Sequence, residues 1–128
     1  MSEVVLDASA VLAVIQHERG ADRLTVEELN EAVISTVNLA EVQSKLVKNG
    51  YSPMQAWNDA LELVSAVEPF NLDQARIAGD LIKATEKYGL SLGDRSCLAL
   101  AIALNAPAYT TEQAWKNLKV GVPIHVIR

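Results

Sequence analysis

EVVLDASAVLAVIQHE, residues 3–18, joins two periodicities at a single acid. EVVLD is a short apolar run that ends at Asp7, the pattern of a buried strand. Beyond it Val11, Leu12, Ile15 and the alanines recur at helical spacing until Gly20 interrupts them. The stretch predicts a strand, an acid at its carboxyl end and a helix, with almost no loop between them.

The same order repeats outward from this unit. ADRLTVEELN (21–30) reads as a second, shorter helix, and AVISTV (32–37) is β-branched and strand-like. AVISTV runs directly into NLAEVQSKLVKNG (38–50), where Leu39, Val42, Leu46 and Val47 form an apolar stripe and Asn49-Gly50 supplies the stop. Ser52-Pro53 opens another helix, with Ala56, Trp57, Ala60, Leu61 and Val64 expected to face inward. VEPF (67–70) predicts a short strand, and Pro69 favours an edge position. Residues 72–88 read as one long helix ending at Gly89. Ser91-Leu92-Gly93-Asp94 then opens RSCLALAIALN, apolar almost all round and so expected to be the buried central helix. After Pro107 come a strand in PAYT, a turn in EQAWKN and a last strand in VPIHVI. Helices between strands throughout predict a three-layer α/β/α sandwich with a mostly parallel sheet. In such sheets ligands bind beyond the carboxyl ends of the strands.

Composition agrees with one packed domain, 1–128. Of 128 residues 50% are apolar and 21% charged, which excludes a disordered or fibrous chain. The single cysteine, Cys97, rules out an internal disulfide. No apolar run approaches the ~20 residues that span a bilayer, and Asp7 interrupts the first apolar stretch, so a soluble, cytoplasmic protein is expected. A net charge of −5 argues against a protein that coats nucleic acid with a basic face.

Four acids stand out by position. Asp7 ends the first strand, Glu41 lies in the first helical turn after the second, Asp94 opens the buried helix and Glu112 follows the fourth strand. Each has a plain explanation as a helix cap. Asn38-x-x-Glu41 and Ser91-x-x-Asp94 both fit the capping-box spacing, and Asp7 and Glu112 suit helix starts. Four acids gathered at one sheet edge are harder to explain that way, because like charges persist together when a cation sits among them. Oxygen ligands without neighbouring His or Cys select Mg²⁺ or Mn²⁺ over zinc. His17 and His125 lack ligand spacing, and no His is placed to activate Ser9 as a nucleophile. Removing the four acids from the sixteen Asp and Glu leaves twelve, against eleven Lys and Arg, so the excess acidity is concentrated at the site. Arg95, Lys116 and Lys119 flank it in sequence and are candidates for phosphate contacts, with a solvated face as the alternative.

VVLDASAVLAVI, ISTVNLAEVQSKL, LSLGDRSCLALAIALNAPAYTTEQAW and VPIHVI together resemble the PIN-domain family, and more narrowly the VapC-type toxins of toxin–antitoxin pairs. The resemblance covers essentially the whole chain. It implies metal-binding roles for Asp7, Glu41 and Asp94, with Ser9, Asn38 and Thr110 as polar residues lining the pocket. The family's T-x-D-x-x-W pattern stands here as Thr110-Thr111-Glu112-Gln113-Ala114-Trp115, so the fourth acid is Glu where the pattern has Asp. The implied activity is Mg²⁺- or Mn²⁺-dependent endoribonuclease action on RNA, held in check by a VapB-like antitoxin, in a homodimer. An alternative is a PIN fold weakened through Glu112 that survives as an RNA- or protein-binding module. A phosphoacceptor receiver domain fits poorly, since Asp7 is followed by Ala-Ser-Ala and no Lys ends a strand.

Overall fold

The computed structural model describes residues 3–128. Its first strand, β1 (Val4–Leu6), passes into helix α1 (Ala8–Ile15) with Asp7 alone between them. After the short α2 (Val26–Asn30), strand β2 (Ala32–Ser35) runs without a break into α3 (Thr36–Lys48). Next come α4 (Pro53–Leu63), β3 (Ala66–Glu68), α5 (Leu72–Asp80) and α6 (Ile82–Thr85). The chain continues through α7 (Leu92–Leu104), β4 (Ala108–Thr110) and β5 (Ile124–Val126).

The five strands form one sheet in the order β3-β2-β1-β4-β5, and every pairing is parallel. From β1 the chain builds outward to β2 and β3, then returns to lay β4 on the other side of β1. Val5 accordingly pairs with Val33 on one side and Ala108 on the other. The strand order reverses between β1 and β4, and their carboxyl ends, Asp7 and Thr110, flank the crevice where open parallel sheets bind ligands.

Strand alternation sorts the core into two layers. Val4, Leu6 and Ile34 pack with Val11, Leu39, Val42 and Leu46 from α1 and α3. Val5, Val33 and Ala108 face the other way, against Leu98, Leu100 and Trp115. Both faces are covered, as an all-parallel sheet requires, and the layers are those expected. Six consecutive residues of α7, Ser96–Ala101, are buried, which makes it the central helix its sequence predicts. A buried Leu there contributes about 1.5–3 kcal/mol by leaving water.

Several local expectations give way. The helix expected over 21–30 is a 3₁₀ turn at Ala21–Arg23 followed by α2, because Thr25 and Glu28 form a reciprocal capping box that restarts the helix. The strand expected over 32–37 stops at Ser35, whose hydroxyl accepts the Val37 N–H and caps α3. Asn38 therefore lies inside α3, and Asn38-x-x-Glu41 is not a cap. The long helix expected over 72–88 breaks into α5, α6 and a 3₁₀ turn at Glu86–Tyr88. Gly79 is a weak helix former at the break, and the Arg95 guanidinium takes the Ala78 carbonyl at 2.8 Å. On α4 the buried stripe is Ala56 and Ala60, with Val64 buried just past its end, whereas Trp57 and Leu61, expected inward, are 40% and 38% exposed. A step of 100° separates the two stripes, too little for apolar character alone to resolve. β3 does sit at the edge of the sheet, with Pro69 just past its end.

Candidate active site

Asp7 owes its position to the missing loop between β1 and α1. It is 3% exposed, and both carboxylate oxygens are engaged. Oδ1 accepts the Ser9 hydroxyl at 2.6 Å and, as the cap of α1, the Ala10 N–H at 3.1 Å. Oδ2 accepts the Thr110 hydroxyl, from the end of β4, at 2.8 Å. The two hydroxyls then fix the loop after β4. Ser9 Oγ accepts the Thr111 N–H and Thr110 Oγ1 accepts the Glu112 N–H, both at 3.0 Å. Burial outweighs these hydrogen bonds and, with the charge of Asp94, pushes the Asp7 carboxyl up to about 6.

The other acids reach the site from α3 and α7. Asn38 is buried, and its Nδ2 donates to Glu41 Oε1 at 2.7 Å and to the Gly93 carbonyl at 3.0 Å. One amide thus holds the Glu41 carboxylate against the start of α7. Gly93 makes room for it: a Cβ at that position would lie 2.6 Å from Glu41 Oε2. Asp94 follows, and its Oδ2 accepts the Ser91 N–H at 2.9 Å in a capping box. The cap expected of Asp94 is therefore real, and it occupies only one of the two oxygens. The convergence registers on Cys97, one turn along α7. Its buried thiol is pushed well above its usual value by burial and then by the charges of Asp7, Asp94 and Glu41.

Glu112 stands apart from this group. It is exposed, precedes a 3₁₀ turn at Gln113–Trp115, and its carboxylate caps nothing. It shares with Ser9, Lys45, Lys48 and Arg128 the wall of a cleft of about 340 Å³. The basic residues picked out by sequence divide. Arg95 is spent on packing α7 to α5 through Ala78, with its Nε buried, so its guanidinium is not offered to a ligand. Lys116 and Lys119 are exposed, and Lys116 borders a separate groove near β5. Lys45, Lys48 and Gly93 were not singled out by sequence. Their signal was helical spacing from Glu41 for the lysines and adjacency to Asp94 for the glycine.

The residues present fit a hard divalent cation in their chemistry. Asn38 Oδ1 is buried beside Glu41 with no protein partner, an acceptor facing no donor. The two salt bridges among the described residues, Arg76–Asp80 and Arg128–Glu18, lie elsewhere, so no cationic side chain neutralises Asp7, Glu41 or Asp94. Cys97 is held as a thiol, and His125 stacks on Tyr109 at 4.6 Å, which leaves an oxygen donor set. As the side chains stand, no three Asp, Glu, His or Cys residues among the described ones close on a single point as a finished ligand shell. The acids form a shared neighbourhood that ligation would have to draw together.

Comparison with known proteins agrees with this fold. Residues 4–120 match the PIN domain family along their length. The chain belongs to the PIN domain family. No curated protein matches its sequence significantly. Solved structures do match this PIN domain in fold. VapBC2 from Rickettsia felis, bound to a DNA fragment from its promoter, superposes with a TM-score of 0.72 at 21% identity, covering 94% of this chain and 96% of that one. DNA-bound VapBC from Salmonella typhimurium gives 0.73 at 14% identity, over 97% of each chain. VapC20 from Mycobacterium tuberculosis, described as a sarcin-ricin loop cleaving toxin, gives 0.73 at 17% identity, over 94% of this chain and all (100%) of that one. The fold read from sequence is thus the fold of VapC toxins, and among the described residues no helix is long and apolar enough to cross a membrane.

Proposed function

We propose that this PIN domain is a Mg²⁺- or Mn²⁺-dependent endoribonuclease, the toxin of a toxin–antitoxin pair, acting in the cytoplasm. The observation that carries the reading is the buried Asp7 at the β1/β4 switch point, grouped with Asp94 and Glu41 and lacking any cationic side chain. The likeness to VapC structures supports the same class.

Asp7, Asp94 and Glu41 would hold the cation, with Asn38 Oδ1 beside them and Glu112 at the rim. When bound, a divalent ion stabilises charge developing on a phosphate and makes water a better nucleophile. The rest falls to the chain's own groups. Ser9 and Thr110 clamp Asp7 in one orientation, and at neutral pH a carboxyl near 6 is mostly ionised. Asn38 sets the position of Glu41. Asp94 keeps one oxygen outside its cap, and an ionised carboxylate of Asp94 or Asp7 would accept the proton of the attacking water.

The partners in this reading are an RNA substrate, a VapB-like antitoxin and a second copy of the chain. Exposed Met54, Trp57 and Leu61 on α4, with Val47 at the end of α3, supply an apolar face for homodimer assembly. A second reading rests on the stand-off position of Glu112: a weakened PIN fold that binds RNA without cutting it. Incubating purified protein with single-stranded RNA in Mn²⁺ and in EDTA separates the two. Cleavage in Mn²⁺ that EDTA and Asp94→Asn both abolish supports the nuclease; binding without cleavage in either condition supports the module.

A further inference from the structure

Helix α3 carries more than Asn38 and Glu41. At 100° per residue Glu41, Lys45 and Lys48 fall on one face, flanking the buried stripe of Leu39, Val42 and Leu46. With a rise of ~1.5 Å per residue, the lysines stand roughly 6 and 10 Å along the axis from Glu41. Both line the cleft of about 340 Å³ together with Ser9 and Glu112. Asn49, just past α3, also lines it and donates to Gln16 of the α1 terminus at 2.8 Å. The remaining cation of this cleft, Arg128, is paired with Glu18 at 3.1 Å. Neither lysine has a salt-bridge partner among the described residues. Two lysines without an ion-pair partner therefore line the same cleft as Thr111 and Glu112, the loop that Thr110 ties to Asp7.

We propose that Lys45 and Lys48 bind successive backbone phosphates of the RNA on one side of the scissile bond, so that the last turns of α3 align the strand while Glu41 stands nearer its start. This rests on the ribonuclease reading above and adds to it the path of the substrate. Lysines in the last turn of a helix also complement its dipole, which explains cations there but not their place in a cleft lined by Ser9, the partner of Asp7. Because the contacts are to phosphates, they give affinity without choosing the sequence cut.

The test measures binding of labelled single-stranded RNA to the intact chain in EDTA, and KM and kcat in Mn²⁺. Lys45→Ala/Lys48→Ala is expected to weaken binding about tenfold or more and to reduce the log–log salt slope by about 1.4, for two phosphates released from a single strand. KM rises while kcat stays within about twofold, and Lys45→Arg/Lys48→Arg restores binding. Lys83→Ala/Lys87→Ala, which removes as many charges from exposed positions on the opposite layer, leaves binding within about twofold. An unchanged slope in the Lys45/Lys48 variant, or an equal loss in the Lys83/Lys87 variant, overturns the proposal while leaving the nuclease reading intact. A wild-type chain that neither binds nor cuts RNA overturns both.

Discussion

Asp7 carries a carboxyl raised by burial from 3.8 to about 6, and that direction fixes the sign of its effect on stability. The folded chain holds this proton more tightly than the unfolded chain. The contribution is therefore complete below the unfolded value and is lost as pH rises through 6, to a total of about 3 kcal/mol. Without metal, the melting temperature of Asp7→Asn relative to wild type is expected to climb between pH 5 and 7.5, and saturating Mg²⁺ should shrink the gap. A gap constant across that range would show that Asp7 does not titrate there. Glu112 makes the complementary case. It has one more methylene than Asp, shifting its carboxylate by about 1.5 Å, a sizeable displacement for an ion that wants ligands at ~2.0–2.1 Å. Since it stands exposed at the rim, Glu112→Gln is expected to lower cleavage less than Asp94→Asn, and Glu112→Asp to keep or improve it. Equal rates for Glu112→Gln and wild type in saturating Mn²⁺ would leave three acids at the site. Sequence singled out Asp7, Asp94 and Glu112 because each follows a strand or opens a helix, whereas Glu41 lies more than a turn inside α3. Sequence could not tell that Arg95 turns inward to Ala78, since that choice depends on the break between α5 and α6.

Elements deliver these residues in pairs, and the pairing of α3 with α7 is the tightest. Asn38 bonds to Glu41 and to the Gly93 carbonyl at once, while Gly93 leaves no space between its Cα and the Glu41 carboxylate. Gly93→Ala removes a weak helix former, a gain of up to about 1 kcal/mol, and the far end of a flexible Glu can swing aside. Melting temperature is thus expected to hold or rise while metal-dependent cleavage falls at least tenfold; unchanged cleavage would show that Glu41 need not sit against α7. Helix and strand identities were legible where periodicity was strong, as in β1, α3 and α7. They failed where a single cap or carbonyl decides. Ser35, not Asn38, caps α3, and the capture of Ala78 ends α5, neither of which apolar spacing records.

At the scale of the whole molecule, the all-parallel sheet places every strand's carboxyl end on one edge, and the reversal between β1 and β4 opens that edge at Asp7. This much follows from the alternation of strands and helices, which is why the architecture and the acids were readable together. The outer face of α4 was not, because apolar residues that complete a core and those that meet a partner look alike in sequence. Trp57 at 40% and Leu61 at 38% exposure make that face a contact surface in the proposed homodimer. Sedimentation at tens of micromolar should give a dimer that Trp57→Glu dissociates; a wild-type monomer would count against it. Asp7, Glu41 and Asp94 are proposed to gather around a divalent cation, and a melting curve across a Mn²⁺ titration tests this. An ion at a hundred times its dissociation constant adds about 2.7 kcal/mol, roughly 5–15 °C for a domain of this size. Wild type is expected to show that rise and Asp94→Asn to lose it while melting higher in EDTA. A melting temperature flat across millimolar Mn²⁺, in wild type and variant alike, would contradict the claim.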